Sequence, residues 1–184
     1  MGDRDARRWL HRAKAPSPVA LVLATGCYVQ ERSDEHRDDP TVDIMVGNRR
    51  KGEIPVILNE VFERRAGGEK GPFLYVGEDA SLKTYEELPV THQQERTRAF
   101  VKVQDGCNQF CSYCIIPFAR GRIASRNEDE IAAEVKALAE NGVREVVING
   151  IHLSSYGLER YSITEQASLR VNNGELPLLP LIRR

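Results

Sequence analysis

The chain has 184 residues and a formal net charge of −1, so its overall charge gives no sign of a nucleic-acid partner. Hydrophobic residues make up 41% of the sequence and charged residues 29%, a balance typical of a globular protein that argues against disorder. No apolar run approaches the ~20 residues of a membrane-spanning helix, so we expect no membrane partner.

The first elements along the chain are a basic helix, predicted over 3–14, and a strand over 19–25. The strand sequence is continuously apolar, as in a parallel strand that is covered on both faces. An apolar run that ends at Gly26-Cys27 after a basic segment also resembles a secretory signal. Acidic residues in the basic segment and two prolines before the run favour the strand.

Two further elements and a linker complete the first half. A short strand is predicted over 42–46, and apolar residues at helical spacing predict a helix over 54–65 that stops before a glycine pair. Residues 66–98 are rich in Gly, Pro and acidic residues, which is typical of a linker, with one short strand at 73–76. Strands that alternate with helices predict an α/β unit with a parallel sheet.

The second half begins with an alternating strand at 99–104. Asn127 and Glu130 form a capping-box pattern that predicts the start of a helix, and a strand follows at 143–148. The order strand, loop, helix, strand is the repeating unit of a β/α barrel, whose active site lies on the loops after the strands.

The four cysteines carry the strongest chemical signal. Cys107, Cys111 and Cys114 lie within eight residues, which favours a metal site in a reducing, cytoplasmic compartment over a disulfide framework. Thiolates bind either zinc or iron–sulfur clusters. Structural zinc sites use four ligands, usually in two pairs, whereas three cysteines would leave one iron of a cluster open to a small molecule.

The run Cys107-x3-Cys111-x2-Cys114, with Tyr113 before its last cysteine, resembles the signature of radical S-adenosylmethionine (SAM) enzymes. The resemblance implies a [4Fe-4S] cluster on these three cysteines, whose free iron chelates SAM. In this class of enzyme the protein positions the cofactor, and the cofactor supplies the difficult chemistry.

The sequence motifs that flank the cysteines resemble those of one family within this superfamily, the tRNA methylthiotransferases. They are Asp105-Gly106-Cys107-Asn108, the stretch from Ile115 to Arg126, and Gly150-Ile151-His152-Leu153-Ser154-Ser155-Tyr156-Gly157. They are most similar to the branch that acts on N6-threonylcarbamoyladenosine, although the isopentenyladenosine branch stays open. The resemblance implies a tRNA substrate bound through its anticodon loop, an electron-donor protein and a monomer. It also implies that the following residues contact the cofactor: Tyr113, Arg122, Ser125, Arg126 and Asn149.

Two residues of these motifs have an alternative interpretation. Arg126 next to the helix start either binds cofactor or braces the loop, and His152 is more often a packing residue than a catalytic one. No catalytic residue is assigned. Basic residues also cluster in two places, and each cluster is either a solvated face or an RNA contact. The clusters are Arg4, Arg7, Arg8, Arg12 and Lys14, and then Arg120, Arg122 and Arg126.

Compared with the family pattern, we expect a chain that is truncated at both ends. Residues 1–65 correspond to part of an amino-terminal domain, 66–98 to a linker, and 99–184 to the first units of an incomplete radical SAM barrel. The family carries a second cluster on three cysteines, of which only Cys27 has a counterpart. A catalytically inactive cluster-binding remnant and a zinc protein are therefore alternative hypotheses.

Overall fold

The structure is a computed structural model that divides into two compact units. Unit 1 comprises Met1–Ala80 with Phe118–Arg120, and unit 2 comprises Ser81–Pro117 with Gly121–Arg184. The described residues are 2–17, 19–35, 39–77, 85–88, 97–171 and 175–184. Helices and strands are mixed in both units, which confirms the α/β class.

Unit 1 contains a three-stranded parallel sheet. Its strands are β1 (Leu23–Thr25), β2 (Ile44–Val46) and β3 (Phe73–Tyr75), in the order β1-β2-β3. Every residue of the central strand β2 is buried, because that strand is paired on both edges and covered on both faces. The two strand predictions before residue 50 are therefore confirmed, with shorter bounds.

Three helices accompany this sheet: α1 (Gly2–Lys14), α2 (Cys27–Arg32) and α3 (Ile54–Ala66). α3 buries Ile57 and Val61 in one cluster with the residues of β2 and β3. The helix α2 was not expected, because Gly26-Cys27-Tyr28 predicts a turn. The turn is confined to Gly26, whose φ is 108°, and burial of Val29 against the sheet stabilises the short helix after it.

Only part of the predicted linker at 66–98 lies within the described residues. Its first part belongs to unit 1, since β3 pairs in parallel with β2 through Ile44–Phe73, Met45–Leu74 and Val46–Tyr75. Most of the rest lies at 78–84 and 89–96, outside the described residues.

Unit 2 contains a second sheet, in the order β5-β4-β6. Its strands are β4 (Arg98–Asp105), β5 (Ala124–Ser125) and β6 (Glu145–Gly150). β4 and β6 are parallel and are connected through α5 (Glu128–Glu140), as the predicted strand–helix–strand unit requires. The short antiparallel β5 was not predicted.

Asn127 caps α5, as its side chain accepts a hydrogen bond of 2.8 Å from the backbone N–H of Asp129. Its partner is the second residue of the helix, not Glu130 as the capping-box pattern predicts. Ile131 and Leu138 are buried on the face of α5 that contacts β4, which agrees with the predicted apolar spacing.

The end of the chain is more regular than its sequence suggests. It contains the helices α6 (Ile163–Val171) and α7 (Leu178–Arg183). Earlier in the chain, the short helix α4 (Ile116–Ala119) follows the cysteines. Pro177 and Pro180 lie at the cap and in the first turn of α7, where a missing N–H costs no helical hydrogen bond, and Leu181 is buried in the core of unit 2. In the described part of the chain, no helix combines the length and apolarity that crossing a bilayer needs.

Candidate radical SAM site

The three clustered cysteines lie on the loop that leaves the carboxyl end of β4. The loop starts at Gly106, whose φ is +69° and at which an added methyl group would lie 1.9 Å from the carbonyl oxygen of Arg122. The N–H of Cys107 donates to the carbonyl of Gly121 over 3.1 Å. The two ends of this loop are therefore packed closely, and only glycine fits at the entry.

The thiols differ in their exposure. Cys107 is buried, Cys114 is half-buried and Cys111 is exposed, and none of the chain's four cysteines, all described, forms a disulfide. The N–H of Cys114 donates to the carbonyl of Cys111 over 2.9 Å, which closes one turn between them. In the ranges described, no three Cys, His, Asp or Glu side chains lie near enough to hold one metal ion. Convergence of the three sulfurs therefore stays a prediction.

A cavity of about 600 Å³ opens between this loop and the loop that follows β6. Its lining residues are Cys107, Gln109, Cys111, His152, Ser154 and Leu176. Because β4 and β6 are parallel, their carboxyl ends meet at one edge of the sheet, which is where α/β proteins bind ligands. Two of the three cysteines thus share a cavity with polar side chains of the next strand's loop.

Gln104 joins these two loops from inside the sheet. It is completely buried, and its Nε2 donates to the carbonyls of Asp105 and Gly106 over 2.7 Å each. Its Oε1 accepts from the N–H of His152 over 2.8 Å. Gln104 was not predicted as a site residue, although a polar residue at an inward position of a strand, next to the cysteine loop, is a usable signal.

His152 is held by two serines of its own loop. Its Nδ1 lies 2.6 Å from the hydroxyl of Ser155, which is fully buried, and its Nε2 lies 3.3 Å from the hydroxyl of Ser154. These contacts orient the ring at the cavity wall, where it can donate or accept a hydrogen bond.

Ser125, predicted to contact the cofactor, is engaged by the loop after β6. Its hydroxyl accepts from the N–H of Gly157 over 2.7 Å and donates to Glu159 over 3.0 Å. The other carboxylate oxygen of Glu159 accepts from the N–H of Ser125 over 2.8 Å. Tyr156 is fully buried and donates to the carbonyl of Arg126 over 2.9 Å. These bonds fasten the two loops together, and sequence reasoning missed Glu159.

Arg126 is buried and forms ion pairs with Glu87 and Glu134. Burial lowers the pKa of Arg126, but its hydrogen bonds to the two carboxylates outweigh this effect and raise that pKa overall. Burial raises the pKa of Glu87. Of the two interpretations of Arg126, the structure therefore favours the residue that braces the loop over the cofactor ligand.

The other three predicted cofactor contacts lie outside the cavity lining. Tyr113 is 91% exposed, and Asn149 lies on β6 opposite Lys102. The guanidinium of Arg122 stacks over the ring of Phe110, 4.3 Å from its centroid, so that its charge is on the cysteine loop. The structure thus places Arg122 on the loop that bears the cysteines but does not bring Tyr113 or Asn149 into the cavity.

Cys27 belongs to unit 1, where it is half-buried as the first residue of α2. The buried amide of Asn48 lies 3.6 Å from its sulfur and donates to it. No other cysteine belongs to this unit, so the chain offers one thiol there and three in unit 2.

The donor set of unit 2 suits an iron–sulfur cluster better than zinc. Three soft thiols lie on one short loop, and two of them face a cavity that has space for a further ligand. A structural zinc site usually takes four ligands in two pairs, whereas three cysteines on one loop would leave one iron of a cluster open to a further ligand.

Comparison with known proteins agrees with this geometry. Residues 101–174 match the radical SAM superfamily model. This segment is a radical SAM domain. It includes most of β4, the three cysteines, the helix α5 and the loop with His152, and so contains the cavity lining except Leu176.

Most of the chain is similar to tRNA methylthiotransferases. It is 42% identical over 159 residues to the threonylcarbamoyladenosine tRNA methylthiotransferase MtaB of Aquifex aeolicus, and 36% identical over 156 residues to that of Bacillus subtilis. It is 35% identical over 163 residues to the tRNA-2-methylthio-N(6)-dimethylallyladenosine synthase of Pelotomaculum thermopropionicum. These matches cover 85–87% of this chain but 34–38% of the relatives. The chain therefore spans a little over a third of their length.

Proposed function

We propose that this chain carries the radical SAM site of a tRNA methylthiotransferase that modifies N6-threonylcarbamoyladenosine-37. The observation that carries the proposal is the cavity between the cysteine loop and the His152 loop, in which Cys107 and Cys111 lie opposite polar side chains. The two MtaB relatives, at 42% and 36% identity, support this choice of substrate.

In this proposal Cys107, Cys111 and Cys114 hold one [4Fe-4S] cluster. A cluster held there would supply the one-electron reduction that splits the SAM sulfonium into methionine and a 5′-deoxyadenosyl radical, the electron coming from the proposed donor protein. The residues proposed to contact SAM remain Tyr113, Arg122 and Asn149. Arg122 supports this proposal because its guanidinium places a positive charge on the cysteine loop.

The chain's own residues position this site. Gln104 connects the backbone before Cys107 with the backbone of His152, which keeps the two walls of the cavity together. Ser125 and Glu159 fasten the far side of the His152 loop. A fixed cavity matters for radical chemistry because a displaced substrate or a stray water would divert a reactive intermediate.

The proposal extends to the architecture and the partners. β4 and β6 are taken as the first two strands of a radical SAM barrel, and residues 1–65 as part of the family's amino-terminal domain. Cys27 is taken as one ligand of that domain's second cluster. The proposed partners are the anticodon loop of tRNA and an electron-donor protein, for a cytoplasmic monomer.

A second substrate, N6-isopentenyladenosine, is favoured by the 35% identity to the dimethylallyladenosine relative. The two substrates are distinguished by expressing the chain, alone or within the protein that carries it, in cells that lack both methylthiolations. Nucleoside mass spectrometry of the tRNA then gives the answer. The proposal predicts a methylthio group on N6-threonylcarbamoyladenosine alone. A methylthio group on isopentenyladenosine would select the second substrate. Absence of both, with no 5′-deoxyadenosine formed by the reconstituted protein, would favour the inactive remnant.

A further inference from the structure

The outer face of α1 carries a row of arginines that form no ion pair with a described carboxylate. Arg4, Arg8 and Arg12 are spaced by four residues and Arg7 lies beside them; all four are exposed. At a rise of about 1.5 Å per residue, four residues separate successive arginines of this row by about 6 Å along the helix. Their spacing is therefore regular and short, like that of phosphates along a nucleic-acid strand.

These arginines differ from most others in the chain. Several exposed arginines elsewhere pair with carboxylates, such as Arg98 with Glu145 and Arg160 with Glu128. Among the side chains that the structure describes, no carboxylate pairs with the four arginines of α1. A positive patch on a chain with a net charge of −1 attracts a polyanion locally without any overall basic character.

The helix that bears this row is fixed by its opposite side. Leu10 packs against the apolar cluster formed around Met45 of β2. At the end of the helix, the ammonium of Lys14 donates to Asp43 over 2.6 Å and to the carbonyl of Ala20 over 2.7 Å. The arginine row thus faces outward from a packed element, so that a ligand would not have to order it first.

An aromatic platform lies within the same face. Trp9 is 65% exposed, and the guanidinium of Arg12 stacks over its ring at 5.0 Å. Exposed indole and guanidinium planes offer stacking surfaces to unpaired bases, while arginines bind the backbone. A membrane surface is a poorer occupant, because Leu10 packs inward and Trp9 is the one large apolar side chain that the described part of this helix exposes for insertion.

We propose that this face of α1, defined by Arg4, Arg8, Trp9 and Arg12, binds the sugar–phosphate backbone of RNA. The inference rests on the proposed function only in taking tRNA as the RNA. It assigns the contact to unit 1, apart from the radical SAM domain, and it needs neither the cluster nor SAM.

The test uses the full chain without cofactor and an unmodified tRNA transcript. Anisotropy of the labelled tRNA gives the Kd at several KCl concentrations. The row variant carries Arg4→Gln, Arg8→Gln and Arg12→Gln. Its plot of log binding constant against log salt concentration should be shallower, with a slope smaller in magnitude by about 2, since each lost phosphate contact removes about 0.7 to 0.9. At 50 mM salt the same loss weakens binding on the order of a hundredfold.

Two matched variants accompany the row variant. The first keeps the charge as lysine at the same three positions and should retain the salt slope. The second removes three exposed, carboxylate-paired arginines of unit 2 and should lower the slope by less than one. Its positions are Arg98, Arg183 and Arg184.

The chain's single tryptophan gives a second, local readout. Trp9 is the only tryptophan of the sequence, so quenching of its emission on addition of tRNA, with the Kd found by anisotropy, places the RNA at α1. The inference is wrong if tRNA binds without changing Trp9 emission, or if the row variant binds like the unit 2 variant. It is equally wrong if anionic vesicles bind at the row and tRNA does not. None of these outcomes bears on cluster formation, so the proposed function is tested separately.

Discussion

Replacing Gln104 with leucine should loosen the junction between the two loops that form the cavity. Leucine has a similar volume and stays compatible with a fully buried position, but it removes three hydrogen bonds to backbone groups. A buried group left without a partner, such as the carbonyl of Gly106, costs about 1–3 kcal/mol, and each of the more exposed bonds contributes about 0.5–1.5 kcal/mol. The expected local cost is about 3 kcal/mol.

Hydrogen exchange of the apo chain measures this cost where it arises. A loss of about 3 kcal/mol lowers amide protection about a hundredfold, and the loss should be confined to 104–108 and 151–155. Gln30→Leu is the matched control, since Gln30 of unit 1 also bonds two backbone groups, at Gly77 and Asn48, but lies nearer to solvent. The reasoning is refuted if Gln104→Leu leaves the protection of both segments unchanged, or lowers it no more than Gln30→Leu lowers that of its own surroundings.

Three other predictions follow from single contacts. Gly106→Ala should abolish iron retention, because the added methyl group would meet the backbone of Arg122. The control is Gly142→Ala, where φ is +88° and the space around the glycine is open. This control should lower the free energy of unfolding by only about 1–2 kcal/mol and should retain the iron. Asn127→Ala should lower the unfolding free energy by about 1 kcal/mol through the lost cap of α5, and Asn127→Ser should restore it; equal melting temperatures for both variants would contradict the role of the cap. Burial raises the pKa of Glu87, so the stability that this group contributes is present below its unfolded pKa and is lost as pH rises through its folded pKa. The melting temperature of Glu87→Gln, relative to that of the wild type, should therefore be higher near pH 7 than near pH 4. The same difference in melting temperature at both pH values would contradict a raised pKa of Glu87.

Strand and helix periodicity predicted the parts of the fold that bury continuous apolar runs. β2 and α3 are examples, although the sequence of α3 left open which apolar residues are buried: Ile57 and Val61 are buried, whereas Phe62 is exposed. α2 and α7 could not be predicted in the same way. α2 is six residues long and depends on tertiary burial of Val29, and α7 contains Pro180, which local rules count as a break unless its place in the first turn is known.

The candidate site was predictable in its chemistry but not in its supports. The spacing of Cys107, Cys111 and Cys114 specifies three soft ligands on one loop, whatever the fold. The bonds made by Gln104 and Glu159 join segments 48 and 34 residues apart, and no single-sequence pattern reports such pairings. Arg126 shows the same limit, since its burial between two carboxylates depends on the fold and not on its neighbours in sequence.

The central claim is that the three clustered cysteines hold a cluster to which SAM binds, and EPR spectroscopy tests it most directly. The full chain is reconstituted anaerobically with iron and sulfide, reduced, and measured with and without SAM, beside Cys111→Ala and the control Cys27→Ala. We expect a reduced-cluster signal that SAM shifts in the wild type and in Cys27→Ala, and no such signal in Cys111→Ala. An unchanged signal in Cys111→Ala, or stoichiometric zinc with no iron in the purified protein, would contradict the account.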